Sequence, residues 1–319
     1  MKIISLDDIK KCFNFNNMLH EIENSFVQYS NSNVLSAPIS QFKFENIAAD
    51  IHIKSGMIRE DKYYFVKIAS GFYDNWKSSI SNSQGVIVVI NAKTGRPEII
   101  LDDQGYLTDI RTALAGIVCA KYLAPRSISE VGIFGYGIQS YLQAKFLKIQ
   151  FPTLKNLFLY GRSIDKMEKL KNKYQELGYT VHLSNHVEYV ANNCKLLVTT
   201  TPSTIPYLFG DCIKAGTHIT AIGADDTHKQ ELDISVFKKA NHIFVDSIDQ
   251  SNKLSACFHA LREDDLYKNN IYEIGNFVSN LNSFKREKNN ITISFLTGLA
   301  AQDIAISKFI LKNIYDNVL

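Results

Sequence analysis

A doubly wound parallel α/β sheet is the fold class that this sequence predicts for its second half, and an α+β region precedes it. After Pro125, short apolar segments alternate with amphipathic helical segments, which is the pattern of strand–helix–strand units in a parallel sheet. Residues 34–102 instead show short apolar or alternating segments separated by Gly, Asn and Pro, which is typical of strands joined by turns. The chain has 319 residues, a length that suggests about two domains.

Helices begin the first region and strands fill most of it. Acidic residues start LDDIKKCF, and apolar residues recur at helical spacing in MLHEIENSFVQYS, so residues 1–30 are predicted to be mainly helical. A further helix is predicted from Leu107 to the residue before Pro125, because proline disfavours the helical conformation in the residue that precedes it. The predicted strands are IAADIHIKSGMI, YYFVKIASGF and the two halves of GVIVVINAKTGRPEIILDD around the turn NAKTGRP.

The second region, residues 125–301, predicts a Rossmann-type sheet. Helices or other crossovers connect its predicted strands, and Gly178 ends one of these helices. The six predicted strands are EVGIF, NLFLY, YTVHL, KLLVTT, THITAIG and HIFVD. The last helix, GLAAQDIAISKFILKNIYDNVL, is too apolar to stay exposed, so we expect it to pack on the N-terminal domain. That domain then comprises residues 1–124 and 302–319.

Composition argues against several classes of protein. Hydrophobic residues are 45% and charged residues 21%, an ordinary globular balance. The formal net charge of +3 gives no reason to expect nucleic acid or a membrane surface as a partner. Five cysteines without a C-x-x-C pair fit free thiols, so we expect a reducing, cytoplasmic location. We expect no signal peptide and no membrane span. We also expect no metal site, because His182 and His186, which lie four residues apart, fall in a predicted strand and a loop.

The stretch SEVGIFGYGIQSYLQ, residues 129–143, predicts a dinucleotide-binding loop. Gly135 permits a tight bend, and Gly137 lets the backbone approach a pyrophosphate. The helix that starts near Ile138 and Gln139 presents free N–H groups and its positive end to the phosphates. Ser140 replaces the third glycine of the usual G-x-G-x-x-G, and a small serine also allows close helix–strand packing. The alternative is an ordinary glycine turn, but the strand before it and the amphipathic helix after it favour the dinucleotide.

The end of the second strand, LYGRS, bears on which dinucleotide binds. A site specific for NAD usually has an acidic residue there for the ribose 2′-OH, and this chain has Gly161. Arg162 and Ser163 follow, with Lys166 one turn later, a group suited to a 2′-phosphate. Alternatively, Ser163 only caps a helix and Arg162 is a solvated or adenine-stacking arginine. These residues favour NADP(H) over NAD(H).

Four segments, in this order, are together more specific than the glycine loop. They are KTGRPEIILDDQGYLTDIRTALAGIVCAKYLAP, GIFGYGIQS, HITAIGADDTHKQELD and ITISFLTGLAAQDIAIS. Over nearly its whole length the chain resembles the ornithine cyclodeaminase/μ-crystallin family. DIHIKSG, VKIASGFYDN and GADDTHKQEL look most like the branch of EutC-type proteins and iminosuccinate reductases. The resemblance implies a nicotinamide dinucleotide, chemistry at the Cα–N bond of an amino or imino acid, and a homodimer formed through the N-terminal domain.

The resemblance also implies roles for particular residues. Lys67 and Arg111 match the family's carboxylate-binding lysine and arginine, which suits an α-carboxylate in a dry site. Asp225 matches the catalytic aspartate, which would pair with the substrate nitrogen. Thr112 and Lys229 match cofactor contacts. Without the resemblance, Lys67 would be a solvated strand lysine, Arg111 a surface ion-pair partner and Asp225 part of a turn.

Further contacts are expected around these positions, and some depart from the family pattern. Ile39 or Ser40 stands where the family commonly has another cation, and Lys54 is expected to replace it. Asp50 matches a glutamate of the cyclodeaminases, and His52 is a further candidate substrate contact, or alternatively a packed strand histidine. We also expect cofactor contacts at Asn82, Thr200, Thr201, Gly223 and Leu296, and a substrate contact at Thr297.

These observations favour an NAD(P)H-dependent oxidoreductase that interconverts an imino acid and an amino acid by hydride transfer at Cα. The departures argue against ornithine as the substrate and leave an acidic imino acid as one candidate. One alternative is a redox-neutral cyclodeaminase (an ammonia-lyase) that keeps its NAD bound. The other is a non-catalytic, μ-crystallin-like binding protein.

Overall fold

The computed structural model describes residues 1–224, 226–255, 258, 261 and 270–316, and omits the side chains of Trp76, Asn282 and Asp316. The chain divides into two compact units. The N-terminal unit is Met1–Arg111 with Leu299–Leu319, and the Rossmann unit is Thr112–Gly298. The first boundary, between Arg111 and Thr112, falls inside a long helix, whereas the sequence analysis placed it at the end of that helix, between residues 124 and 125. The second boundary lies between Gly298 and Leu299, and the sequence analysis placed it between residues 301 and 302.

The N-terminal unit combines a seven-stranded sheet with two helices near the start of the chain, the first turns of a long helix that begins at Tyr106, and the last helix of the chain. The strand order is β1-β7-β6-β5-β4-β2, with β3 also paired to β4. Only the β1–β7 pair is parallel among these strands. The elements are β1 (Lys2–Ile4), α1 (Leu6–Lys11), α2 (Phe15–Ser30), β2 (Val34–Ser36), β3 (Ser40–Lys43), β4 (Ala49–Ile58), β5 (Tyr63–Phe72), β6 (Ser83–Asn91) and β7 (Pro97–Leu101).

The predicted helices and strands of this unit are confirmed, and their ends follow from local chemistry. The side chains of Ser5 and Asn14 cap α1 and α2 by accepting hydrogen bonds from backbone N–H groups of the first turn. The turn NAKTGRP separates β6 from β7, as predicted. Strand β1 was not predicted, because three residues show no periodicity and its only strand partner is the distant β7.

One face of the sheet forms the core of the N-terminal unit. Its buried apolar side chains come from β1, β5, β6 and β7 and include Ile4, Phe65, Ile87, Val89, Ile99 and Leu101. Helix α10 (Ala300–Asp316), the last helix of the chain, packs against α2 and β4. The expectation that the apolar C-terminal helix completes the N-terminal unit is therefore confirmed.

Helix α3 (Tyr106–Leu123) leads into the Rossmann unit, in which parallel strands alternate with helices. The elements are β8 (Glu130–Phe134), α4 (Ile138–Gln150), β9 (Asn156–Tyr160), α5 (Ile164–Gln175), β10 (Thr180–Ser184), α6 (Val187–Asn193), β11 (Leu196–Thr199), β12 (His218–Ala221), α7 (Ile234–Lys239), β13 (His242–Val245), α8 (Ile248–Leu254), β14 (Ile271–Glu273), α9 (Ile274–Ser279) and β15 (Thr292–Phe295).

The sheet of the Rossmann unit confirms the doubly wound fold. Its described strands are all parallel, in the order β10-β9-β8-β11-β12-β15-β13-β14. The chain order reverses between β8 and β11, the point where such sheets bind ligands outside the carboxyl ends of their strands. The six predicted strands are present, and β14 and β15 are additional. Strand β15 pairs between β12 and β13 although it follows both in the chain, so its place depends on non-local pairing. No helix within the described ranges has the length and apolarity to cross a bilayer.

Candidate functional site

The cofactor residues predicted in the Rossmann unit gather at the carboxyl edge of its sheet, except Thr112, which lies on α3. They follow the ends of five neighbouring strands, β9, β8, β11, β12 and β15. In that order they are Arg162 and Ser163; Gly135, Gly137, Ile138 and Gln139; Thr200 and Thr201; Gly223 and Lys229; and Leu296. The sheet therefore brings together residues that lie far apart in the sequence.

The glycine loop after β8 has the backbone that the sequence predicted. Gly135 has φ +113°, a conformation that other residues rarely adopt, and a Cβ there would lie 2.5 Å from Oγ1 of Thr200. Thr200 donates from that oxygen to the carbonyl of Phe134 over 2.9 Å. A Cβ on Gly137 would meet no atom within 4 Å. Gly137 caps helix α4, so open space lies directly before the free N–H groups of this helix.

Ser140 holds the position of the third glycine by more than its small size. It is fully buried, and its hydroxyl lies 3.0 Å from the hydroxyl of Tyr174, which α5 contributes. A glycine would pack as closely but would leave the buried Tyr174 hydroxyl without this hydrogen bond.

The end of β9 is closed to a larger side chain. A Cβ on Gly161 would lie 2.5 Å from Cδ1 of Tyr136 and 2.7 Å from Sδ of Met167. Arg162 is exposed, and Ser163 caps α5 by accepting from the N–H of Lys166 over 3.4 Å. The ring of Tyr136 thus occupies space beside the position where a site specific for NAD carries its acidic side chain.

A buried carboxylate that the sequence did not single out joins the ends of β11 and β12. Glu231 accepts from the hydroxyls of Thr199 (2.7 Å), Thr201 (2.8 Å) and Tyr207 (2.9 Å). It also accepts from the N–H groups of Thr201 (2.6 Å) and Gly223 (2.9 Å). Burial raises the pKa of this carboxyl, and the donors oppose that rise. Glu231 therefore fixes the backbone on which Thr200, Thr201 and Gly223 lie.

The loop after β12 contains the proposed catalytic aspartate, Asp225, which lies outside the described residues. The carboxylate of its neighbour Asp226 accepts from the N–H groups of His228 (2.7 Å) and Lys229 (3.0 Å). These hydrogen bonds close a local turn. The ammonium of Lys229 lies 3.5 Å from the carboxylate of Asp226. The turn that the sequence allowed here as an alternative is therefore present at Asp226.

The predicted contacts at Leu296 and Thr297 belong to a loop that another buried carboxylate holds. Asp246 accepts from the N–H groups of Thr297 (2.9 Å) and Gly298 (2.6 Å) and from the hydroxyl of Thr297 (2.9 Å). The amide of Gln250 donates to that hydroxyl over 2.8 Å. The Thr297 side chain therefore has partners within the Rossmann unit.

In the N-terminal unit the candidate substrate residues share the inner face of β4 and β5. Residues two apart in a strand point to the same face, so Asp50, His52 and Lys54 line β4 together. Lys54 lies opposite Lys67 in the register of the two antiparallel strands. Lys54 is 7% exposed and Lys67 3%, so neither is a solvated edge lysine.

Lys67 and Arg111 converge on one carboxylate from the last helix. The ammonium of Lys67 lies 2.9 Å and 2.8 Å from the two oxygens of Asp303, and Nε of Arg111 lies 3.1 Å from Oδ1. The guanidinium of Arg111 also donates to the side-chain oxygen of Gln302 over 3.0 Å. The side chains of Lys67, Arg111, Gln302 and Asp303 are all buried. Arg111 is therefore not the surface ion-pair partner that the sequence allowed as an alternative.

Burial and neighbouring charges set the ionisation of this group. Burial lowers the pKa of Lys67 to about 7; Asp303 opposes this, and Arg111 and Lys54 add to it. For Asp303, burial alone would raise the pKa, but the charges of Lys67, Arg111 and Lys54 hold it below its usual value. Asp303 is therefore an anion, and the ammonium of Lys67 loses its proton as the pH rises through about 7.

Asp50 and His52 form a second polar group farther along β4. The carboxylate of Asp50 accepts from the hydroxyl of Tyr73 over 2.7 Å, and Nε2 of His52 lies 3.4 Å from it. Gly71 lies opposite Asp50, and a Cβ there would be 3.1 Å from the carboxylate. Asn82 donates to the carbonyl of Tyr73 over 3.1 Å and so supports the same strand end.

Gln302 and Asp303 are the residues of the N-terminal unit that sequence reasoning missed. Both lie in the apolar segment GLAAQDIAISKF, where two adjacent polar residues interrupt a buried helix face. That interruption was the available signal, because buried polar groups need partners.

These features define a class of two-unit proteins with a dinucleotide fold. One unit is a Rossmann-type sheet with an open glycine loop, and the other is an α+β unit with a buried cationic group. The chain belongs to the ornithine cyclodeaminase/mu-crystallin family, whose sequence pattern matches residues 2–318. The resemblance stated from the sequence is therefore confirmed.

Individual relatives differ in the activity that their names give. An uncharacterized cyclodeaminase of Sinorhizobium fredii is 31% identical over 85% of this chain and 82% of its own. Iminosuccinate reductase of Paracoccus denitrificans is 28% identical over 76% of this chain and 75% of its own. The solved structure of an archaeal alanine dehydrogenase dimer with bound NAD is similar at a TM-score of 0.88, with 26% identity, and covers 100% of this chain and 97% of that one.

Proposed function

We propose that this protein is a nicotinamide-dinucleotide-dependent oxidoreductase that interconverts a small imino acid and an amino acid. The observation that carries the proposal is the convergence of two buried cationic side chains, Lys67 and Arg111, from different elements on one position beside Asp303. Two buried cationic groups this close together favour a negatively charged ligand. An α-carboxylate fits this requirement, because both a guanidinium and an ammonium donate to carboxylate oxygens.

The carboxyl edge of the Rossmann unit supports the cofactor part of the proposal. The open space at Gly137 lies before the N-terminus of α4, where a pyrophosphate finds free N–H donors and the positive end of the helix. The archaeal alanine dehydrogenase structure contains NAD. For this chain we propose NADP(H) as the preferred form, because Gly161 has no room for an acidic side chain and Arg162 follows it, exposed.

A reduced nicotinamide dinucleotide, if bound at the glycine loop, would supply a hydride to the carbon of a protonated imine. The C=N bond would become a C–N single bond, the nitrogen would take its electron pair, and the dinucleotide would leave oxidised. Lys67 and Arg111 hold the α-carboxylate, and Asp225 pairs with the substrate nitrogen. The bound cofactor supplies the hydride, while the residues bind and orient the imine.

The exposed face of the N-terminal sheet supports a homodimer. Ile53 and Ile68 point away from Lys54 and Lys67, and each is 37% exposed. Phe42 on β3 is 62% exposed. Apolar side chains on the outer face of a sheet favour a protein partner, and a second copy of this chain presents the same face. Sedimentation should show a dimer for the natural chain and a monomer for Ile53→Glu/Ile68→Glu.

The test of the proposed function is the steady-state absorbance of the reduced cofactor at 340 nm, with imino acids formed from 2-oxo acids and ammonia. We expect net consumption of NADPH, and a loss of the preference for NADPH over NADH in Arg162→Ala. Ammonia release from ornithine without net consumption would instead establish a cyclodeaminase. Cofactor binding without turnover of any imino or amino acid would establish a binding protein.

A further inference from the structure

Two adjacent residues of the last helix contact the proposed carboxylate-binding pair and have no role in the reaction described above. Asp303 contacts Lys67 and Arg111, and Gln302 accepts from Arg111. We propose that Asp303 and Gln302 are positioning residues, which hold Lys67 and Arg111 in fixed orientations for a substrate carboxylate. The nature of that ligand rests on the proposed function, whereas the positioning does not.

The contacts leave Arg111 little freedom to reorient. Its Nε lies 3.1 Å from the Asp303 carboxylate in an ion pair without hydrogen-bond geometry, and one terminal nitrogen donates to Gln302 over 3.0 Å. The oxygen of Gln302 also lies within hydrogen-bond distance of the N–H of Leu299 (3.3 Å), which fixes the amide at the start of α10. A guanidinium presents five N–H donors, so these contacts leave further donors for a ligand.

Asp303 is in turn anchored by its own helix. The backbone carbonyl of Asp303 accepts from the hydroxyl of Ser307 over 2.6 Å, one turn farther along α10. The helix packs against α2 and β4. The carboxylate therefore sits on a rigid element, as expected for a residue that orients other side chains.

Stability alone does not explain this arrangement. Taking an ion pair out of water costs about as much as the attraction returns, so a buried pair is weak evidence for stabilisation. Other charged groups act on this site as well: Lys67 on β5, Arg111 on α3 and Lys54 on β4 lower the pKa of Asp303 on α10, and burial raises the pKa of Asp103 before α3. A carboxylate that served stability alone would need one partner, whereas Asp303 contacts both members of the proposed carboxylate-binding pair.

The test uses the full chain labelled with [¹⁵N]arginine and compares Asp303→Asn with the natural protein. NMR follows the Nε–H signal of Arg111, which is identified as the signal that disappears in Arg111→Lys. We expect this proton to exchange with water at least about tenfold faster in Asp303→Asn, which lacks the Asp303 charge. Gln302→Met, which keeps that charge, should give a smaller acceleration. The control Asp61→Asn removes another ion pair of α10, that of Lys308, and should leave the exchange unchanged. Unchanged exchange in both Asp303→Asn and Gln302→Met would overturn the proposal.

A second measurement separates positioning from general loosening of the helix. Binding of pyruvate to the NADP⁺ complex is measured by calorimetry against pH. The natural protein should lose affinity as the pH rises through about 7, where Lys67 loses its proton. In Asp303→Asn the midpoint should fall by about one pH unit, because an anion no longer stabilises that proton. An unchanged midpoint contradicts the proposal. If no carboxylate binds the natural protein, the proposed function fails while the exchange result still decides the positioning.

Discussion

Lys54 and Lys67 lie opposite each other on neighbouring antiparallel strands, and both side chains are buried. Like charges opposite each other destabilise a sheet, so this pair requires compensation. Asp303 supplies part of it, with its carboxylate 2.8 Å from the Lys67 ammonium. The convergence of Lys67 and Arg111 beside this carboxylate is the feature from which we infer an anionic substrate.

The pKa of Lys67 leads to a prediction about pH. Burial lowers this pKa to about 7, so the ammonium is present below that pH and is lost as the pH rises through it. We expect kcat/KM for an imino acid to decline above about pH 7, and Lys67→Arg to move the decline to higher pH, because arginine stays protonated. Lys77→Arg changes an exposed lysine of the same unit and is the control. The same pH profile in Lys67→Arg and the natural enzyme would contradict the role of Lys67.

Arg111 should be needed for catalysis rather than for folding alone. Removal of one partner from a buried, hydrogen-bonded charge pair typically costs about 2–5 kcal/mol, so Arg111→Ala should lower kcat/KM by about 30-fold to 5,000-fold. Thermal unfolding shows whether the variant is folded. Arg126→Ala, at an exposed arginine, should have near-natural kinetics. Near-natural kinetics in Arg111→Ala would remove the carboxylate assignment.

The crowded end of β9 predicts the outcome of an attempt to change the cofactor. Gly161→Asp would place a Cβ 2.5 Å from the ring of Tyr136, so we expect lower thermal stability and weaker binding of both NADP and NAD. Gly161→Asp/Tyr136→Ala should recover binding of NAD, because the ring no longer occupies that space and the flexible Met167 side chain, whose sulfur lies 2.7 Å from the same Cβ, can then move aside. Calorimetric titration of both cofactors checks this. A stable Gly161→Asp with a gain in NAD binding would show that Tyr136 does not restrict the position.

Glu231 should be important for stability, because it accepts five hydrogen bonds at a fully buried position. In Glu231→Gln the amide NH₂ group faces other hydrogen-bond donors, so some of these donors lose their acceptor. The free energy of unfolding should fall by about 2–4 kcal/mol. The expected fall in Tm is about 5–10 °C. Glu168→Gln, which changes an exposed ion pair with Lys171, should alter Tm by no more than about 1 °C. Equal Tm values for the two variants would contradict the account of Glu231.

The sequence predicted what local patterns determine, and missed what depends on distant partners. Alternation of strands and helices predicted the Rossmann unit, and the glycines predicted the tight bend at Gly135. Lys67 and Arg111 followed from the family resemblance. Asp303 lies 236 positions from Lys67 in the sequence, so no local pattern could show their contact. Glu231 is similar, because its partners come from three separate segments.

The central claim is that the reduced cofactor gives a hydride to the α-carbon of an imino acid. The most direct test incubates the enzyme with an imino acid and NADPH that carries deuterium at both C4 positions, and examines the amino acid by mass spectrometry and NMR. We predict one deuterium at Cα per cofactor oxidised. An amino acid without deuterium at Cα, or ammonia release without oxidised cofactor, would contradict the account.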